Sequence, residues 1–281
     1  MTIKIVTDST ADIPPALAKD LSITVVPLYV RFGDESYHDR IQISEDEFYR
    51  RLLSDPIHPS TSQPTPQDFV NVYREISLQA DGIVSIHISS KLSGTCNSAL
   101  QAKDLMPSGC PIEVVDSENV SMGLGLLAVK AANIANAGKD WDQVVGEVKK
   151  SISNIHVWAL FDTLKYLALG GRIGKAKVLL GTILNVKPLL AVKDGEMVPV
   201  SQPRTRAKGI DMLCDFVSKV ADIQDLSVVH STTPDEAEVL ADRLGSMFDR
   251  GRIKLSRLGP ALGVHTGPGA LAVAVMGNRA P

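Results

Sequence analysis

The 281-residue sequence predicts an α/β fold. Short apolar runs with strand character alternate with helical patterns along the chain, and clusters of polar residues follow the strands directly. No apolar run approaches the ~20 residues that a membrane helix needs. Repetition of strand, polar loop and helix specifies a parallel sheet with helices on both faces. Hydrophobic residues make up 44% and charged residues 22%, as in ordinary globular proteins, and the length suits one large or two ordinary domains.

The elements follow in order. Residues 3–6 form a first strand, and behind it runs Thr7-Asp8-Ser9-Thr10-Ala11-Asp12-Ile13-Pro14. Such a loop either lines a ligand site at the carboxyl edge of a sheet or caps the turns before a helix starting near Pro14. Residues 23–30 read as the next strand, with Pro27 marking an edge or a bulge. Ser44-Glu45-Asp46-Glu47 ahead of Phe48, Leu52 and Leu53 is a capping-box helix start. The prolines Pro59, Pro64 and Pro66 exclude a helix interior, so the hydroxyls of Ser60, Thr61 and Ser62 are expected on a stiff loop. Thr65-Pro66-Gln67-Asp68 then opens a helix with Phe69, Val72, Tyr73 and Ile76 on one face.

The segment 82–99 is the most informative. Ile83, Val84, Ile86 and Ile88 make a buried strand; Ser89, Ser90, Ser93, Thr95 and Ser98 follow, and a helix is expected over 99–105. A strand that ends in small hydroxyl residues and feeds a helix N-terminus offers backbone N–H groups and a favourable dipole to an anion. Residues 112–115 are another strand ending in Asp116-Ser117-Glu118, and 123–137 are helical. A first domain closing near residue 150 divides the chain into 1–152 and 153–281.

In the second half, residues 157–161 read as a strand. Gly170-Gly171-Arg172-Ile173-Gly174 allows close backbone approach around one guanidinium, which either reaches a ligand or stays solvated. Residues 188–200 form a hairpin about an Asp194-Gly195 turn. Arg204 and Arg206 precede a helix to 220; a strand over 226–230 and a helix over 234–248 come next. Residues 259–269 read as a glycine-rich polar turn before a last strand over 270–276.

Composition narrows the chemistry. A net charge of −3 and 5% aromatic residues argue against nucleic acid. The first residues form a strand rather than a signal peptide, and Cys96, Cys110 and Cys214 form no close pair, which predicts reduced thiols and a cytoplasmic protein. The phosphate-loop, dinucleotide and nucleophile-elbow patterns are absent. The six histidines have no metal spacing; His265 stands out because its glycine- and proline-rich surroundings provide no apolar face for it. A Ser93/His265 nucleophile pair stays open, without a marked carboxylate to orient it.

Five ordered motifs carry a resemblance that spans essentially the whole chain. They are Thr7-Asp8-Ser9-Thr10-Ala11-Asp12, Thr61-Ser62-Gln63-Pro64, Ser90-Lys91-Leu92-Ser93-Gly94-Thr95, Gly170-Gly171-Arg172-Ile173 and His265-Thr266-Gly267-Pro268-Gly269. Together they resemble the DegV family. That resemblance implies two α/β domains, the first built on a parallel sheet and the second on a mixed one, with a lipid between them. The implied ligand is a long-chain fatty acid of the palmitate, stearate or oleate class. It is presented to a partner fatty acid kinase that phosphorylates its carboxyl group for phospholipid synthesis. No catalytic residue, metal or further cofactor is implied, and neither nucleic acid nor integral membrane association. Thr61 and Ser93 would contact the carboxylate, with Ser62, Gly94, Thr95, Arg172, His265 and Thr266 around the head group. Ala168 and Leu169 stand where relatives often carry a lysine, which weakens a basic patch beside Arg172. Cys96 replaces a common aromatic, a change expected to bear on tail selectivity.

The chemistry agrees. A carboxylate only accepts hydrogen bonds and asks for donors from several directions. A tail of about 15 methylenes buried at roughly 0.8 kcal/mol each gives a gross term near 12 kcal/mol before ordering costs. Residues 178–184 and 213–220 are candidate tunnel walls or ordinary core. The alternative is a Ser93-based esterase or thioesterase with backbone donors as its oxyanion hole.

Overall fold

The computed structural model describes residues 1–179 and 186–279. The chain enters through β1 (Ile3–Asp8) and α1 (Pro15–Asp20), then runs through β2 (Ile23–Val26), β3 (Tyr29–Phe32), β4 (Glu35–His38) and α2 (Glu45–Ser54). β5 (Ser60–Ser62), α3 (Pro66–Ser77), β6 (Gly82–His87), α4 (Thr95–Leu105) and β7 (Ile112–Asp116) follow. α5 (Met122–Asn136) and α6 (Trp141–Ser151) lead into the second half. There β8 (Ile155–Leu160), α7 (Lys165–Leu169), β9 (Leu189–Lys193), β10 (Glu196–Ser201), α8 (Arg206–Val217) and β11 (Val220–His230) come in turn. α9 (Pro234–Leu244), β12 (Lys254–Arg257), α10 (Pro260–Thr266) and β13 (Leu271–Arg279) complete the described chain.

Three sheets organise these elements. The parallel sheet has the order β2-β1-β6-β7, and β6 is buried along its whole length, as a strand covered on both faces must be. The second sheet is mixed, in the order β10-β9-β8-β13-β11-β12, with β11 and β12 its parallel pair. A small antiparallel sheet, β4-β3-β5, packs with α2 and α10.

Helix α5 ties the two large sheets together. Eleven of its 15 residues are buried, and it packs on β1, β8 and β13, so one core cluster contains Ile5 and Val84 as well as Val157 and Ala274. Strand alternation explains how the mixed sheet serves two cores. Along β13, Ala272, Ala274 and Met276 face α5, whereas Leu271, Val273 and Val275 join Leu213, Phe216 and Leu240 under α8 and α9.

Local chemistry accounts for several ends. Thr65 and Asp68 form a complete capping box at α3, with Pro66 in the first turn. At α2 only half of the expected box forms: Ser44 Oγ accepts from Glu47 N, but the Glu47 carboxylate pairs with Arg50 instead. The hairpin turn has Asp194 at φ 50° and Gly195 at φ 77°, as the Asp-Gly pair predicts.

Four expectations need correction. The single strand over 23–30 is two strands in different sheets, because Pro27 interrupts the ladder between β2 and β3. Ser60–Ser62 form β5 rather than a loop, since β3 supplies a partner for each of the three residues. Helix α4 starts at Thr95, four residues before the expected 99, with Gly94 as its cap. The expected turn at 259–269 contains α10, started by Pro260 in its first turn.

Candidate site between the two sheets

A cavity opens between the halves, with about 850 Å³ of space free of protein atoms once its open mouth is included. Alternate residues of β8 and the position after it, Val157, Ala159 and Phe161, line one wall. Leu190 and Val192 of β9, Met197 of β10 and Ala272 of β13 extend it, with Ala270 just before β13. Ile88, Leu92 and Val120 face them from the first half. The alanines are physically important, because larger side chains at 159, 270 and 272 would fill the space.

The polar lining comes from five separate segments. Thr61 sits in the middle of β5 and His265 in the last turn of α10, and Thr61 Oγ1 lies 2.9 Å from His265 Nε2. Ser93 precedes α4. Its Oγ accepts from the Thr95 N–H at 3.3 Å and lies 2.8 Å from Thr95 Oγ1. Arg172 is exposed at the cavity edge, where its Nε donates to the Leu92 carbonyl at 3.2 Å and its Nη1 to the Gly170 carbonyl at 2.7 Å. It thereby bridges the two halves next to Ser93.

Burial, together with the nearby Arg172 and His58, pushes the His265 imidazole down to about 4, so it is neutral at neutral pH. Its Nδ1 is buried without a hydrogen-bond partner among the described residues. Gly170 makes this placement possible, since any Cβ there would overlap Nδ1. His58 and Tyr166, whose ring centroids are 5.9 Å apart, lie near His265 and the turn after it, a grouping that sequence spacing does not signal.

The structure thus brings Thr61, Ser93, Arg172, His265 and Thr266 to one cavity. Thr266 Oγ1 donates to the Leu262 carbonyl at 3.1 Å, so its proton is already used inside α10. Ser62, Gly94 and Thr95 are not wall residues. The Ser62 hydroxyl donates to the Gln63 carbonyl, Gly94 packs on the Gln63 amide, and buried Thr95 reaches the site only through Ser93. His265 lies on a helix rather than in a glycine-rich turn.

The structure decides two further points. Cys96 is buried, with its thiol pushed up to about 11 by burial and by Asp116 and Asp8, and it does not line the cavity. Leu213, Phe216, Val217 and Val220 belong to the core under α8 and α9, so residues 213–220 are not a tunnel wall. Of the segment 178–184, Val178 is exposed and residues 180–184 lie outside the described residues. Sequence reasoning missed Ser121, which lines the cavity at φ 53°, a conformation rare for a residue with a side chain.

The fold and chain have close counterparts among known proteins. A DegV domain-containing protein of Streptomyces coelicolor is 39% identical over 97% of this chain and 98% of its own length. The structure reported as fatty acid binding of a DegV family protein from Thermus thermophilus aligns with a TM-score of 0.91 at 33% identity. It covers 99% of this chain and 100% of the other. The DegV structure from Bacillus subtilis, described as a fatty acid binding protein, aligns at 0.88 with 30% identity over 99% and 100%. The family model described as "Uncharacterised protein, DegV family" matches residues 2–278, and the chain belongs to the DegV family.

Proposed function

We propose that the protein binds a long-chain fatty acid, with its tail in the cavity between the sheets and its carboxylate among Thr61, Ser93, Arg172 and His265. One observation carries this reading: an otherwise apolar cavity gathers hydroxyl, imidazole and guanidinium groups from both halves of the chain. Tail burial supplies most of the affinity, and the polar groups fix which end faces the mouth. With Nε2 protonated, neutral His265 donates to Thr61 Oγ1 and leaves the Thr61 proton for a carboxylate oxygen. With Thr95 donating to Ser93 Oγ through both its N–H and its hydroxyl, the Ser93 proton is left for the carboxylate, and Arg172 provides the counter-charge. The fatty acid binding reported for the Thermus and Bacillus proteins supports the same ligand class.

The protein acts on this reading as a carrier of the palmitate, stearate or oleate class. It presents the carboxylate at the cavity mouth to a fatty acid kinase that forms the acyl phosphate. The exposed position of Arg172 supports presentation rather than enclosure. The reading divides the chain into 1–152 and 153–281, and its three free cysteines suit a reducing cytoplasm. Geometry does not favour the Ser93 hydrolase: His265 Nε2 is engaged by Thr61, and Nδ1 meets no carboxylate among the described residues.

Native mass spectrometry of the purified protein, followed by organic extraction, tests the ligand. Expected are one bound fatty acid per chain and exchange with added palmitate or oleate. Absence of both would remove the reading. Acyl-phosphate formation by a fatty acid kinase, dependent on the loaded protein, tests presentation; a rate unchanged by the protein would leave a binding protein that does not present. Turnover of acyl esters that vanishes in Ser93→Ala would replace the carrier with the hydrolase.

A further inference from the structure

Helix α10 carries His265, but its first turn is held from the other half of the chain. Asp12 Oδ1 accepts from Gly259 N at 2.9 Å and from Arg40 Nη2 at 2.9 Å, while Oδ2 accepts from Ser121 Oγ at 2.6 Å. The Asp12 carbonyl accepts from Ser256 Oγ, and Arg40 Nη2 also donates to the Arg257 carbonyl. Asp12 is 1% exposed and sits in the left-handed region at φ 51°. One carboxylate therefore joins the loop after β1, the start of α5 and the cap of α10. Ser121 is also a wall residue of the ligand cavity, so the same bonds touch both the tail space and the helix that carries His265.

We propose that Asp12 is a positioning residue of the head-group site, fixing the start of α10 so that His265 stays in register with Thr61. Its effect on affinity rests on the fatty-acid reading above; its effect on His265 geometry does not.

The electrostatics around Asp12 separate this role from plain stabilisation. Burial raises its carboxyl to about 6, against the pull of Arg40, Ser121 and Gly259 N and with a smaller push from Glu45. The other charged or titratable groups facing the cluster are Asp39, raised by burial to about 7, Tyr49 on α2 and Arg257 on β12. A raised carboxyl contributes stability that is present below its ordinary 3.8 and lost as pH rises through about 6. At neutral pH the ionised Asp12 is therefore kept at a cost to stability, and what it provides is geometry.

The test follows His265 by ¹³C and ¹⁵N nuclear magnetic resonance in the full chain, beside palmitate affinity, for wild type, Asp12→Asn and Ser121→Ala. Circular dichroism checks the fold of each. In Asp12→Asn, His265 should titrate above its buried value of about 4, toward 6.5, and palmitate affinity should fall roughly tenfold. Ser121→Ala removes one of the three donors and should shift His265 in the same direction by less. It decides the matter alone if Asp12→Asn does not fold. An unchanged His265 titration in the folded variants would overturn the proposal, whatever happens to melting temperature. If wild type binds no palmitate, the fatty-acid reading fails while the His265 signal still tests the positioning role.

Discussion

Two histidines in this protein each face a hydroxyl, and their surroundings differ in a way that separates scaffold from site. His87 is fully buried on β6. Its Nδ1 lies 3.0 Å from Asp8 Oδ2, its Nε2 2.7 Å from Ser85 Oγ, and Ser85 Oγ accepts from Tyr73 OH at 2.8 Å. Asp8 is satisfied further by the backbone N–H groups of Thr10 and Ile88 and by the Thr10 hydroxyl. The sequence of groups matches a serine–histidine–aspartate relay, yet it is fully buried, and both histidine nitrogens and both Asp8 oxygens have partners among the described residues. His265 has the opposite character: one nitrogen on Thr61, the other without a partner among the described residues, and a cavity beside it. The first network is closed and holds the sheet together, whereas the second leaves hydrogen-bonding capacity unused at the wall of a cavity.

The largest test of that contrast is His87→Ala. It leaves a hole and takes one partner each from Ser85 Oγ and Asp8 Oδ2, and should cost about 3 kcal/mol in urea unfolding while leaving the fatty-acid affinity of the folded protein unchanged. A cost below about 1 kcal/mol would show that the network is not structural. Next comes Thr61→Ala with Ser93→Ala, which on the proposed function removes two charge-assisted donors. Calorimetric titration should find palmitate affinity down by about 100-fold, with urea stability within about 0.5 kcal/mol of wild type. The smallest is Gly170→Ala. The backbone there is ordinary at φ −78°, so the effect reads as displacement of His265 by the new methyl group. A loss of affinity of roughly tenfold and an upward shift of the His265 titration from about 4 are expected. Unaltered binding would mean that His265 is not part of the head-group site.

Much of the fold was legible because its signals are local. The Asp194-Gly195 turn, the Thr65 capping box and the prolines that open α3 and α9 act within a few residues of themselves. The misread elements are those in which a distant partner outweighs local preference. Ser60–Ser62 have no strand character of their own and become β5 only because β3 offers a free edge. The start of α4 at Thr95 hides among hydroxyls that also read as a loop, and α10 hides among glycines. At the site, the motifs carrying Thr61, Ser93, Arg172 and His265 were visible, whereas Asp12 could be read equally as a turn cap.

The amino-acid order by itself determined the alternation of strands and helices, the hairpin, and the polar segments that would have to lie at the ends of strands. Side-chain periodicity and turn chemistry depend on neighbours a few positions away, so they survive without any knowledge of the fold. Only the tertiary structure decided that Thr61 and His265, 204 residues apart, would share a hydrogen bond. It also decided that residues 213–220 would face α9 and not the cavity, and that three alanines would line that cavity. Those outcomes follow from how two sheets pack on α5, and packing of that kind is set by the whole set of long-range contacts at once.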